Sequence, residues 1–282
     1  MATVKTTRFE LAGADGRPVR GEVRTAGSGA GRPAVVICHG FKGFKDWGFF
    51  PHLAARLARA GISAVSFNFS SSGIGPDGES FSEPERFARA TISGDLDDLT
   101  RVSEALGAGQ LAQGIVAPAG MGLFGHSRGG GVAVLRAAAD PSCRCLATWA
   151  AISTTMRWDA ATVARWRRDG RLDIVNTRTG QVLPVYTDFL DDLETNHDRL
   201  DVLAAAARVS VPWMVVHGDT DESVPVVEAR RLSEAAGARM TSLLIIAGGG
   251  HAFGARHPWS GTTTALDQAM EATVDWFTRH LL

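Results

Sequence analysis

Between residues 121 and 139 the chain has to turn sharply from one kind of element into another. Met121-Gly122-Leu123-Phe124 reads as a short buried strand and residues 128 to 139 carry a helical pattern, with Gly125-His126-Ser127-Arg128-Gly129-Gly130 placed directly between them. A serine on so abrupt a strand-to-helix turn is forced into a strained backbone conformation. Small neighbours are needed there, because a Cβ at Gly125 or Gly129 would strike adjacent segments. The turn exposes the Ser127 hydroxyl at the N-terminus of a helix, where unpaired N–H groups and the dipole favour developing negative charge. A glycine-rich turn with a capping serine is the alternative reading, and the flanking strand and helix argue against it.

A buried strand feeding a helix implies a layered architecture, and the rest of the chain keeps that rhythm. Two β-like runs, Thr7 to Leu11 and Val19 to Arg24, flank the turn-rich Gly13 to Gly16 and suit an antiparallel hairpin. Pro33 to Cys38 is apolar without alternation, as in a strand buried on both faces. Helical patterns follow at 50 to 60, 85 to 106, 225 to 236 and 263 to 281, and strands at Ser63 to Phe69, Cys145 to Ile152, Trp213 to His217 and 241 to 246. This alternation predicts an α/β fold: a mostly parallel central sheet of about eight strands with helices on both faces.

One segment breaks the pattern. Residues 154–208 separate two successive strands, far more chain than the roughly 10 to 20 residues a single crossover helix requires. The chain therefore divides into a core, 1–153 with 209–282, and an insertion, 154–208. Within the insertion Arg171 to Val175 and Gln181 to Tyr186 flank Asn176 to Gly180 as a small hairpin. Its position near the strand ends where ligands bind in open α/β sheets reads as a cap or lid, with a surface ornament as the alternative.

Composition narrows the function classes. The chain has 282 residues, 45% apolar and 21% charged, as an ordinary globular protein has. Its 29 basic and 30 acidic side chains leave a net charge of -1, so no long-range field favours nucleic acid or anionic lipid. Met1 to Leu11 contains no apolar signal-peptide core and no 18-residue apolar run follows, so the expected location is the cytoplasm, without a membrane partner. Cys38, Cys143 and Cys145 are expected to be reduced and mostly buried, the last two being too close for an ordinary disulfide or zinc pair. No metal-ligand spacing appears and no cofactor is expected. Arg165-Trp166-Arg167-Arg168 and Asp95-Leu96-Asp97-Asp98 both read as the solvated faces of helices.

A serine hydroxyl needs a base to take its proton and a carboxylate to orient that base. His251 lies in Gly248-Gly249-Gly250-His251-Ala252-Phe253, just past the last strand, where a glycine loop can carry an imidazole over the sheet edge. His257 is the alternative; His197 and His217 also follow Ser127, and His280 sits on the last helix. His217-Gly218-Asp219-Thr220-Asp221-Glu222-Ser223-Val224-Pro225 offers three acids within one loop, of which only one can be the partner.

These motifs, in this order at the ends of these elements, resemble the α/β-hydrolase superfamily from about residue 20 to 282. The resemblance implies a Ser-Asp-His chain order. It puts the acid of the common form His-Gly-x-x-Asp-x-x-Val-Pro at Asp221, with Asp219 as the alternative, and the base at His251. It implies an oxyanion hole made by the backbone N–H groups of Arg128 and of Phe41, the latter in His39-Gly40-Phe41 after the strand ending at Cys38. His39-Gly40-Phe41-Lys42-Gly43-Phe44-Lys45-Asp46 with the Ser127 turn looks like the branch of carboxylesterases, cinnamoyl or feruloyl esterases and dienelactone-hydrolase-like proteins. The cinnamoyl esterase group carries an insertion at the same place. Strict dienelactone hydrolases use a cysteine nucleophile, and here the turn has Ser127.

The expected activity is hydrolysis of a small-molecule carboxylic ester. The same machinery would serve a peptidase, including the prolyl oligopeptidase type, or an amidase or thioesterase; a non-catalytic binding protein of the same fold is the alternative from another class. Phe44, Trp47, Tyr186 and Phe253 are the candidates for contact with substrate. The oligomeric state is open, a homodimer included.

Overall fold

The computed structural model describes residues 3–13, 16–27, 31–237 and 241–282. A nine-residue pair, β1 (Val4–Ala12) and β2 (Pro18–Ala26), runs antiparallel in full register; part of the Gly13 to Gly16 turn lies outside the described residues. β2 then pairs antiparallel with β4 (Ser63–Asn68), which lies parallel to β3 (Ala34–Cys38). β5 (Met121–His126), β6 (Cys143–Trp149), β9 (Trp213–Gly218) and β10 (Thr241–Ile246) continue the parallel part. The sheet has eight strands in the order β1-β2-β4-β3-β5-β6-β9-β10. β3, β5 and β9 are buried at every position, which is why they read as continuous apolar runs.

Helices cover both faces. α1 (Phe50–Arg59) and α9 (Thr264–Leu281) bury Leu53, Leu57, Met270 and Phe277 against one face. α3 (Ile92–Gly107), α4 (Arg128–Ala137) and α8 (Val227–Ala236) cover the other, burying Leu99, Val102, Val134 and Leu232. The helical pattern expected over 85 to 106 is broken in the structure into α2 (Pro84–Ala88) and α3, because the Thr91 side chain accepts the Gly94 N–H and starts a new helix.

The Asp95–Asp98 run is not a solvated face, contrary to expectation. Asp95 and Asp98 are both buried, one paired with Arg128 at 2.7 Å and the other accepting the Ser70 N–H at 2.7 Å. The three cysteines are free and buried.

Between β6 and β9 lie α5 (Ala160–Asp169), the antiparallel pair β7 (Arg171–Val175) and β8 (Val182–Tyr186), α6 (Asp188–Thr195) and α7 (Val202–Ala206). Trp166 of α5 is fully buried, stacked on Phe189 and edge-on to Trp158, so the basic run around it has an apolar centre. Arg167 pairs with Asp191 and Glu194, and Arg168 with Asp169. The segment is anchored to the core at its start. Buried Glu228 of α8 accepts the Ser153 N–H at 2.7 Å and pairs with Arg157, which also donates to the Ser223 carbonyl.

Candidate active site

The β5–α4 turn has the strain its sequence implies. Ser127 sits at φ 56° and ψ -122°, a region L-residues rarely adopt, and its N–H donates to the Trp149 carbonyl at 2.9 Å. A Cβ at Gly125 would meet the Gly129 carbonyl oxygen at 2.3 Å, and one at Gly129 would meet the His39 carbonyl oxygen at 2.3 Å. Helix, elbow and β3 loop therefore approach more closely than any other residue allows. Lys42 and Phe253, also at positive φ, lie in the loops after β3 and β10, so strained residues gather at one end of the sheet.

His251 and the acids are positioned by β9, β10 and the glycines between them. A Cβ at Gly218 would lie 1.9 Å from the Gly249 carbonyl oxygen, so the loops after the two strands touch backbone to backbone. Asp221, which the resemblance favours, and its alternative Asp219 have different partners. Asp219 accepts the Gly248 N–H at 2.7 Å and holds the histidine loop in place, whereas Asp221 Oδ2 lies 2.9 Å from His251 Nδ1. Asp221 Oδ1 accepts the Ser223 and Val224 N–H groups, both at 2.9 Å. Buried His217 shares its Nε2 proton between the Val224 carbonyl at 2.8 Å and Asp221 Oδ2 at 3.3 Å. Burial alone would raise the Asp221 pKa; the bonds from His217, His251 and the Val224 N–H outweigh it and hold the carboxylate ionised far below its ordinary range. The other candidate histidines are engaged elsewhere: His257 Nδ1 accepts the Gly48 N–H at 3.1 Å, and exposed His197 faces the Glu194 carbonyl.

The β3 loop brings Phe41 beside the elbow. Neither the Phe41 N–H nor the Arg128 N–H donates to a backbone carbonyl among the described residues. The buried Arg128 guanidinium lies between the rings of Phe41 (5.5 Å) and Phe189 (5.4 Å), pairs with Asp95 and donates to the Thr91 carbonyl at 3.0 Å. One side chain thus ties elbow, β3 loop and the segment between β6 and β9 together. Burial lifts the Asp95 pKa to about 6 against the pull of Arg128, while burial of His39 lowers that ring to about 4. The Phe69 N–H donates to His39 Nε2, which leaves the His39 proton on Nδ1, donated to the Gly40 carbonyl.

Ser127 and His251 open into one cleft of about 510 Å³, walled by Gly40 to Gly43, Trp47, His126, Asn176 to Arg178, Ala252 and Ala255 to His257. Among the described residues the Ser127 hydroxyl makes no hydrogen bond, so serine and histidine face the same space without yet being joined. His126 lies under His251, ring centroids 4.7 Å apart, with its Nε2 2.9 Å from the His251 carbonyl; burial, then the neighbouring imidazole, push its pKa down to about 3. No group of three or more His, Cys, Asp or Glu among the described residues is arranged to hold a metal ion, and no helix of the described residues is long and apolar enough to cross a membrane.

The profile of the alpha/beta hydrolase family matches residues 35–262, from β3 through the His251 loop. The chain belongs to the α/β-hydrolase family. A search of curated proteins finds no significant match. Among solved structures, this α/β-hydrolase is similar to Est1E from Butyrivibrio proteoclasticus with ferulic acid bound, at TM-score 0.73 and 18% identity over 95% of this chain and 98% of that one. It is also similar to the esterase domain of a Rhodothermus marinus protein, at TM-score 0.66 and 18% identity over 99% and 100%. A Mycobacterium tuberculosis puromycin-hydrolyzing peptidase aligns at TM-score 0.66 and 21% identity, over 99% of this chain but 39% of that one.

Of the aromatic residues expected to meet substrate in this α/β-hydrolase, Trp47 lines the cleft. Three do not line it. Phe44 is fully buried behind the His257 ring, Phe253 packs on Trp149 in the core, and the Tyr186 hydroxyl donates to Glu85. An aromatic in a loop is read equally well as wall or as packing, and here the ends of β3 and β10 need filling. The wall residues that sequence reasoning does not find are His126, Arg256 and the hairpin tip Asn176-Thr177-Arg178. Their one signal is the turn composition of 176 to 180, which says hairpin but not where the hairpin points.

Proposed function

We propose that this chain is a serine hydrolase of carboxylic esters. The observation that carries the reading is the 2.9 Å contact between Asp221 and His251 in the same cleft as Ser127 on its strained turn. His251 Nε2 takes the Ser127 proton as Oγ attacks the ester carbonyl, and Asp221 steadies the imidazolium. The Phe41 and Arg128 N–H groups receive the tetrahedral oxyanion; one such donor typically stabilises the transition state by about 3 to 4 kcal/mol. His251 then protonates the leaving alcohol, and in the second half activates water to release the acid from Ser127. Asp221, held ionised by His217 and the loop amides, keeps the proton of His251 on Nδ1 and leaves Nε2 free to act as base.

The structural likeness to Est1E and to the Rhodothermus marinus esterase domain supports the ester substrate, and the peptidase neighbour marks amides as the competing acyl donors. The test is turnover of a p-nitrophenyl ester series from acetate to octanoate, with methyl ferulate and matching anilides alongside. Hydrolysis of one or more esters, faster than the anilide of the same acyl group, is the expected result. Faster anilide cleavage would make the protein an amidase, and no turnover of any member contradicts the reading.

A further inference from the structure

The cleft wall has a charge pattern that catalysis at Ser127 does not use. Lys42, Arg178 and Arg256 line it, and among the described residues no Asp or Glu does. The three cations come from separate elements: the β3 loop, the hairpin tip between β7 and β8, and the loop after His251. Among the described residues none of the three is in an ion pair. Lys42 Nζ donates once, to the Val175 carbonyl at 3.3 Å, and Arg178 lies over the Phe44 ring at 5.7 Å. The nearby acids are turned to other partners: Asp46 pairs with Lys45, and exposed Glu79 reaches 3.9 Å from His257 Nε2.

A second, independent feature lies in the same wall as these cations. Asn176, at the hairpin tip, is 6% exposed and lines the cleft, and its Nδ2 is buried without a hydrogen-bond partner. Its Oδ1 is already used, accepting the Arg178 N–H at 3.2 Å, so the orphan is the donor end of the amide. A buried donor left unpaired destabilises the fold, a cost removed when an acceptor fills the place. Unpaired cations and an unpaired donor in one wall, with no carboxylate lining it among the described residues, ask for an anion.

Resting on the ester-hydrolase reading above, we propose that Lys42, Asn176, Arg178 and Arg256 form a subsite for a negatively charged group on the ester substrate, a carboxylate being the simplest. Substrates are then half-esters, or esters of charged alcohols, whose anion seats against the hairpin tip while the carbonyl reaches Ser127.

The experiment compares kcat/KM for charged and neutral pairs of matched size. One pair is mono-p-nitrophenyl glutarate against p-nitrophenyl valerate, with the charge in the acyl part; the other is 4-carboxybenzyl butyrate against benzyl butyrate, with the charge in the alcohol. In at least one pair the anionic ester is favoured by tenfold or more at low salt. The preference shrinks severalfold by about 0.5 M NaCl, where the screening length drops to a few ångströms. In the Arg178→Gln/Arg256→Gln variant, which removes two exposed charges and opens no core cavity, the ratio falls towards one. Turnover of the neutral esters with no anionic preference in either pair, or a preference that survives the double variant, overturns the subsite and leaves the hydrolase reading intact. No turnover of charged or neutral esters overturns both.

Discussion

Ser127→Ala lowers kcat/KM on the best p-nitrophenyl ester by at least about three orders of magnitude while its urea unfolding midpoint stays close to that of the wild type. The loss is large because no neighbouring group can take over attack. The cysteines are buried, and the thiol of Cys38, behind the elbow, is held protonated far above its ordinary range by burial and the nearby Asp95. Fold stability is spared because the Ser127 hydroxyl bonds nothing among the described residues, and the turn is held by backbone bonds from Ser127 to Trp149 and from Gly130 to Ser127. His251→Ala has a comparable effect on turnover. Adding it to Ser127→Ala costs little more, since residues acting as one unit do not contribute additively. A double variant far slower than either single one would mean that serine and histidine act separately.

The second large effect is acid lability. His39 and His126 are buried and neutral, with pKa values lowered from 6.5 to about 4 and about 3. Above pH 6.5 neither the folded nor the unfolded chain protonates these rings. As pH falls below 6.5 the unfolded chain takes up protons that the folded one refuses, so stability declines down through the folded values. By about pH 4.5 each histidine removes on the order of 2 to 3 kcal/mol. Asp95 acts in the opposite sense: its pKa is raised from 3.8 to about 6, so over that window the folded state binds the extra proton and gains stability, offsetting about one histidine. The Asp221 contribution is fully present above 3.8 and is lost only below it. The net expected loss between pH 7.5 and 4.5 is on the order of 3 kcal/mol, read as a fall in the urea unfolding midpoint. His126→Asn, which cannot titrate, makes the decline shallower. A midpoint that does not move over this range would mean that the two rings are protonated in the fold.

Local constraint explains which parts of this arrangement are legible in the sequence. The elbow is, because a Cβ at Gly125 or Gly129 would come within 2.3 Å of a neighbouring carbonyl oxygen, which leaves glycine as the only choice and so marks the position in the chain. The parallel strands are, because burial on both faces makes β3 wholly apolar and leaves β9 with one polar side chain, the hydrogen-bonded His217. The choice between Asp219 and Asp221 comes from the family resemblance and not from local constraint. Both lie in one turn, and only the close contact of Gly218 with Gly249 decides that the first reaches Gly248 and the second His251. The burial of Asp95 is equally hidden. Its helix has a polar stripe of ordinary appearance, and the stripe faces inward because Arg128, the residue that follows Ser127, needs a counter-ion beneath the elbow. The hairpin tip shows the same limit: turn residues announce a reversal, while the placement of Asn176 and Arg178 in the cleft wall depends on packing elsewhere in the segment between β6 and β9.

The central claim is that Ser127 is a nucleophile activated within this fold. Incubation of the native protein with a fluorophosphonate, followed by intact-mass measurement and peptide mapping, tests it without knowledge of the substrate. The account predicts one adduct per chain, on Ser127, formed rapidly by the wild type, slowly by His251→Ala and not at all by Ser127→Ala. An unlabelled wild type, or an adduct that persists in Ser127→Ala, would contradict it.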